Sequence, residues 1–188
     1  MDVEIPIASR QTQTKGQVKR LRRSGKLPAV IYSQSKTAEG ISLGAEDFKT
    51  VLRTCQPGFL PTTVFKLVDT SGKARRALVK DIQYDVTNYD VLHLDFQELH
   101  DDMQVSVKVP VECINQVDCA GVKLGGFLRT IMRHLRVKCL PKHLPSHFSI
   151  DVRDLNLNQF RKVKDMQMPA HVTYLGRADD VVVSVVKK

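Results

Sequence analysis

Apolar and polar positions change period several times along the chain, and the changes mark its elements. Val3, Ile5 and Ile7 alternate with Glu4 and Pro6, the period of two of a half-buried strand. The proline, which cannot donate to a ladder, predicts an edge position. Leu27 to Tyr32 is an apolar run suited to a pleated surface, followed by a polar stretch, Ser33 to Gly40, that reads as a loop. After a short strand at Ile41 to Leu43 the period lengthens. Phe48, Val51, Leu52 and Cys55 stand at i, i+3, i+4 and i+7, with Glu46 and Asp47 early and Arg53 late, which predicts a core-facing amphipathic helix over Ala45 to Cys55. Gln56-Pro57-Gly58 ends it. Strands then follow at Thr62 to Val68, Ala74 to Tyr84 and Val91 to Phe96, separated by turn residues at Asp69 to Gly72 and by a loop over Asp85 to Asp90. A small mixed sheet or barrel with two helices accounts for this half.

Gln97 to Asp102 is polar, acidic and without periodicity, so the boundary between two domains, 1–96 and 97–188, is expected there. Beyond it Met103, Val105, Val107, Val109 and Val111 alternate with polar residues and open a second, largely β domain. Gly121, Gly125 and Gly126 mark turns, Phe127 to Leu140 is strand-like, and His147 to Val152, His171 to Leu175 and Val181 to Val186 complete the strands. The fold class is therefore mainly β with a few helices.

Between the first two strands lies a segment of a different kind. Thr14 and Gln17 have the spacing of a capping box, Gly25 suits the left-handed position that ends a helix, and Pro28 forbids its continuation. A helix from Lys15 to Ser24 follows, with only Val18 and Leu21 to face inward. Lys15, Lys19, Arg22 and Lys26 form a stripe that Arg20 and Arg23 flank. From Arg10 to Lys26 there are seven basic residues and no acid. Average composition would place about two acids in such a window, so these cations lack local partners and favour an external polyanion. A solvated helix face would mix signs, and a membrane-surface helix needs a broader apolar face than two aliphatic residues.

The whole chain of 188 residues carries 29 Lys and Arg against 20 Asp and Glu, a net charge of +9, which makes nucleic acid the leading class of partner. With aromatic residues at 6% and no Trp, a stacking platform for single strands is disfavoured, and structured RNA, contacted through phosphates and ribose hydroxyls, suits the chain better. No apolar run is long enough to span a membrane, and Met1-Asp2-Val3-Glu4 is not a basic-then-apolar signal, so a cytosolic location is expected. Cys55, Cys113, Cys119 and Cys139 lack paired knuckle spacing and read as reduced core thiols. Cys139, His143 and His147 stand four apart, but Pro141 and Pro145 prevent a regular helix from aligning them on a metal. Neither metal nor cofactor is expected, and no catalytic constellation is recognisable. Gly121 to Gly126 lacks the spacing of a phosphate-binding loop. His93 and Asp95 share a strand face and could pair as base and orienter, but no Ser or Cys accompanies them in sequence, and they suit base edges or ribose hydroxyls equally well.

Lys15-Gly16, Lys19-Arg20-Leu21-Arg22 and Gly25-Lys26-Leu27-Pro28-Ala29-Val30-Ile31-Tyr32, followed by Asp81-Ile82-Gln83 and Leu92-His93-Leu94-Asp95-Phe96, resemble the bacterial large-subunit ribosomal protein family L-twenty-five. Gly121, Lys123, Gly125, Gly126 and Leu128, then Leu135, Val137, Cys139, Leu140, Pro141, Pro145, Ile150, Asp151, Val152 and Pro169, resemble the second domain of its long form, the CTC or general stress protein type. The resemblance implies an N-terminal β-barrel that binds 5S rRNA in the central protuberance of the large subunit, and no enzymatic activity. By motif position the family's RNA contacts fall on Arg10, Lys15, Lys19, Arg20, Arg22, Tyr32, Gln83, His93 and Asp95, to which the cationic stripe adds Arg23 and Lys26. The C-terminal domain is expected to meet neighbouring ribosomal proteins. Two positions depart from the family pattern. Val86 replaces a usual proline, and Asn158-Gln159 replaces a usual Gly-Asp, a change that asparagine's tolerance of the left-handed conformation accommodates. The alternative class is a basic stress-related regulator of other structured RNA or DNA.

Overall fold

The alternating segments of the first hundred residues become six strands that close on themselves. The structure, a computed structural model, describes residues 3–10, 14–33 and 36–187. Its first unit, Met1–Met103, holds β1 (Val3–Ser9), α1 (Lys15–Arg23), β2 (Lys26–Ser33), β3 (Lys36–Gly44), α2 (Ala45–Thr54), β4 (Val64–Asp69), β5 (Ala74–Tyr84) and β6 (Val91–Glu98). The strands form a closed barrel in the order β1-β3-β2-β6-β5-β4. Parallel pairing of β1 with β4 completes the ring, and β2 and β6 form its other parallel pair. Closure leaves no edge and turns one side chain in two inward. Ile5, Ile7, Ala29, Ile31, Ile41, Leu67, Leu94 and Phe96 are buried there, and Phe48 of α2 joins them. The Phe65 ring lies 6.3 Å from that of Phe48 and 5.9 Å, edge-on, from that of Phe96. The interior is thus a packed core and not a channel.

The second unit, Gln104–Lys188, contains β7 (Val105–Ile114), α3 (Ala120–Lys123), β8 (Gly126–Thr130), β9 (His134–Cys139), β10 (Phe148–Asp151), β11 (Phe160–Lys162), β12 (Thr173–Tyr174) and β13 (Val181–Lys187). It is built from a four-stranded sheet, β10-β7-β9-β12, and a three-stranded sheet, β11-β13-β8. Val105, Val107, Val109, Leu135, Val137 and Cys139 are buried from the first sheet, and Val182, Val183 and Val185 from the second.

Several elements differ from expectation for identifiable reasons. β1 is not an edge strand. β3 pairs with it only from Ile7 onward while β4 pairs from Val3 to Ile7, so Pro6 sits where one side alone is laddered. The loop expected at Ser33 to Gly40 is largely strand. Residues 36–40 belong to β3, held by antiparallel pairing with β2 from Lys26↔Gly44 to Ser33↔Lys36, while Gln34 and Ser35 lie outside the described residues. Cross-strand pairing overrides polar composition here. Gln97 and Glu98 prolong β6, and Leu99 is buried. Phe127 to Leu140 divides into β8 and β9, which join different sheets.

Gly121 lies within the one-turn helix α3, where a Cβ would stand 2.9 Å from the Asn156 carbonyl carbon and 3.0 Å from the Leu155 oxygen. This glycine permits a close approach of two backbones. Asn158, at φ +63°, does take the left-handed conformation.

Candidate nucleic-acid interface

α1 begins as its sequence requires. Thr14 Oγ1 accepts from the Gln17 N–H at 3.4 Å, and Gln17 Oε1 accepts from the Thr14 N–H at 3.1 Å. Ser24 caps the other end and Gly25, at φ +74°, turns the chain into β2. No residue of the helix is buried, and Val18 and Leu21 are its only half-buried aliphatic residues. Burial therefore does little to hold it.

Two arginines tie the surrounding chain to the barrel instead. β2 pairs with β6 only from Leu94 onward, which leaves the Leu92 carbonyl free of that ladder, and Arg22 donates to it through Nε at 3.2 Å and Nη2 at 2.9 Å. Arg10, half-buried, donates from Nε to the Ile41 carbonyl at 2.8 Å and from Nη2 to the Ala29 carbonyl at 3.5 Å. Burial, and secondly the charge of Arg22, pull the Arg10 pKa below its ordinary value. The two guanidiniums repel each other and no carboxylate bonds either among the described residues.

The remaining cations project outward. Lys15, Lys19, Arg20, Arg23 and Lys26 are exposed and form no ion pair among the described residues. Elsewhere in the same unit four cations are paired with acids. Arg75 bonds Glu39 at 2.6 Å, Lys49 bridges Asp90 at 3.2 Å and Glu46 at 3.4 Å, Lys66 meets Glu4 and Arg76 meets Asp101. The cations of the helix keep their charge free of any acid among the described residues.

Beside it, β6 and its neighbours present polar tips on the outer barrel surface. His93 faces Gln83 across the β5–β6 ladder, and Asp95 faces Asp81 on one side and Val30 on the other. Nδ1 of His93 lies 2.9 Å from Asp95 Oδ1 but out of line for a hydrogen bond, so this buried ring nitrogen has no directed partner. Tyr32 reaches the same area. Burial first, then the charges of Asp95 and Asp81, raise its hydroxyl pKa and keep it a donor.

The structure thus brings Tyr32, Gln83, His93 and Asp95 onto one outer face, sets Arg22 against the strand that carries His93, and gives Arg10 to the support of the backbone. Sequence reasoning gave no role to Asp81, the second carboxylate of this face. Its place two residues before Gln83 on one strand was the available signal. The ladder partners of His93 and Asp95 among the described residues are Gln83, Asp81 and Val30, none of them Ser or Cys.

Of the four free thiols, Cys119 and Cys139 are core residues, whereas Cys55 and Cys113 are half-buried. His143 stacks on His171 with centroids 4.4 Å apart, and His147 lies 3.9 Å from Glu112. Among the described residues no three metal-binding side chains converge. No helix of the described residues is long and apolar enough to cross a membrane.

The barrel with its cationic helix and the second β unit each match a family of ribosomal proteins. Residues 5–96 match the model of the ribosomal L25p family, and residues 104–188 match that of the C-terminal domain of ribosomal protein TL5. The chain is 45% identical over 186 residues to the large ribosomal subunit protein bL25 of Chlamydia abortus, covering 99% of this chain and 100% of that one. The same-named proteins of Chlamydia caviae and Chlamydia pneumoniae are 44% and 42% identical over the same shares. The chain belongs to the ribosomal L25p family, and with it to the structural proteins of the ribosome.

Proposed function

We propose that this protein is a component of the large ribosomal subunit that binds 5S rRNA in the central protuberance, and that the binding resides in residues 1–96. The observation that carries this reading is the pairing of an acid-free cationic helix with a face of specific donors and acceptors. Phosphates answer the charge of Lys15, Lys19, Arg20, Arg22, Arg23 and Lys26, while Tyr32, Gln83, His93 and Asp95 offer groups that distinguish base edges and ribose hydroxyls. Attraction to phosphate holds any RNA; the polar face selects one. The same reading places the protein in the cytoplasm, on the ribosome.

Binding of the full chain to 5S rRNA at several salt concentrations tests this. Neutralisation of about five phosphates gives a log-log salt slope of about −3.5 to −4.5. Replacing Lys19 and Arg22 with Gln is expected to make the slope shallower by about one to two. An unchanged slope removes the helix from the interface. Equal affinity for 5S rRNA and an unrelated structured RNA favours the regulator reading.

A further inference from the structure

Residues 104–188 hold 14 Lys and Arg against 7 Asp and Glu, net +7, whereas residues 1–103 hold 15 against 13, net +2. Most of the excess charge therefore belongs to the unit that does not contain α1. Part of it is gathered on the solvent face of the four-stranded sheet. Along β9, Leu135, Val137 and Cys139 point into the core, so His134, Arg136 and Lys138 point out, and on β7 Lys108 points out between buried Val107 and Val109. The register sets Lys108 directly opposite Arg136, and Lys138 between Ser106 of β7 and Thr173 of β12. Lys108, Arg136 and Lys138 are exposed, and none has an ion pair among the described residues.

Like charges directly opposite on neighbouring strands destabilise a sheet. The acids of this face, Glu112 of β7 and Asp151 of β10, stand toward its β10 side, Glu112 four residues along from Lys108 and Asp151 two strands from β9. Neither pairs with the three cations among the described residues. A face that carries this like-charge pair, extends it with a third cation and leaves all three unneutralised is matched to something that brings negative charge. We infer that this face is a second RNA-binding surface, separate from α1, that takes the sugar-phosphate backbone of a double-helical RNA. Residues i and i+2 of a strand stand about 6.6 Å apart, the same order as successive phosphates of one RNA strand, so Arg136 and Lys138 can each take one phosphate and Lys108 a third. The composition argues against an acidic protein as the occupant. Protein interfaces are depleted in Lys and anchored by aromatic side chains, and here two of three cations are Lys, with no ring on the β7 or β9 positions between them. With no base-reading pocket among these residues, the surface recognises helix and charge, not sequence.

The site does not depend on which RNA α1 grips. The test uses the full chain and, as probe, an RNA duplex of two helical turns unrelated to 5S rRNA, titrated across a salt series in a Lys19→Gln, Arg22→Gln background. Adding Lys108→Gln, Arg136→Gln and Lys138→Gln is expected to make the remaining salt slope shallower by about two to three, the signature of three phosphate contacts. An unchanged slope overturns the inference, and so does an equal loss of slope when three exposed cations elsewhere on the second unit, Lys123, Lys142 and Arg177, are replaced instead. Lys108→Glu keeps the test decisive should the triple variant fold poorly. It places an acid opposite Arg136 and is expected to raise the melting temperature while weakening duplex binding. A Lys108→Glu chain that binds the duplex unchanged sinks the proposal. The 5S reading fails separately, if the α1 variant alone binds 5S rRNA as before.

Discussion

The two units carry positive charge in opposite ways. The first is close to balance, at net +2, yet leaves one helix without an acid while pairing Lys49, Lys66, Arg75 and Arg76 elsewhere. The second is far from balance, at net +7, but spreads its cations over sheet faces whose strands are fixed by burial of the alternate residues. Total charge would rank the second unit as the better polyanion binder. Arrangement ranks the first as the more specific one, because its cations border a face that can read chemistry other than charge. Net charge thus speaks of attraction, and placement speaks of recognition.

The largest effect expected concerns the barrel core. Phe65, fully buried between Phe48 and Phe96, packs within the first unit, so Phe65→Ala should cost about 3 to 5 kcal/mol and unfold that unit selectively. Calorimetry should then show one transition lost or lowered and the other in place. Loss of both together would mean that the units do not fold separately.

Next in size is Asp95→Asn. A carboxylate near phosphates is repulsive, so a protein that merely maximised attraction would gain from its removal. A lost hydrogen bond to a charged group instead costs about 1.5 to 3 kcal/mol, tenfold or more in affinity. Weaker binding to 5S rRNA with little change on an unrelated duplex is the expected result of a titration. Tighter binding to both would assign recognition to another face.

The smallest effect expected is that of Thr14→Ala. It removes one hydrogen bond of the capping box from a helix with no buried residue, and should cost about 0.5 to 2 kcal/mol of helix stability. Hydrogen exchange should report faster exchange in residues 15–23 and unchanged protection in β9. Equal change in both would contradict the separation of the two charge patterns.

Local signals were legible where local chemistry decides the structure. Thr14, Gln17 and Gly25 announce the ends of α1, the 3–4 spacing of Phe48, Val51 and Leu52 announces α2, and the alternation from Val105 announces β7. Non-local pairing decided the rest. Thr37 to Gly40 are strand because β2 lies beside them, and Pro6 is internal because its two neighbours are staggered. β11, at Phe160–Lys162, is too short for any period and exists through its antiparallel partner β13. At the site, the alternation that set His93 beside Asp95 was visible along one strand. The placement of Asp81 across from Asp95, and of Lys108 across from Arg136, needed the register.

Barrel closure has a consequence for the order of events during synthesis. β1 leaves the ribosome first, yet its parallel partner β4 begins at Val64, and β2 must likewise wait for β6, which begins at Val91. Neither parallel pair can form from neighbouring segments, so the early strands emerge with Ile5, Ile7 and Ile31 uncovered until the sixth strand arrives. Long-range closure of this kind carries a larger entropic cost than hairpin formation and slows folding. The nascent barrel is therefore a late event, and its completion governs when the outer face of β6, with His93 and Asp95, is first assembled.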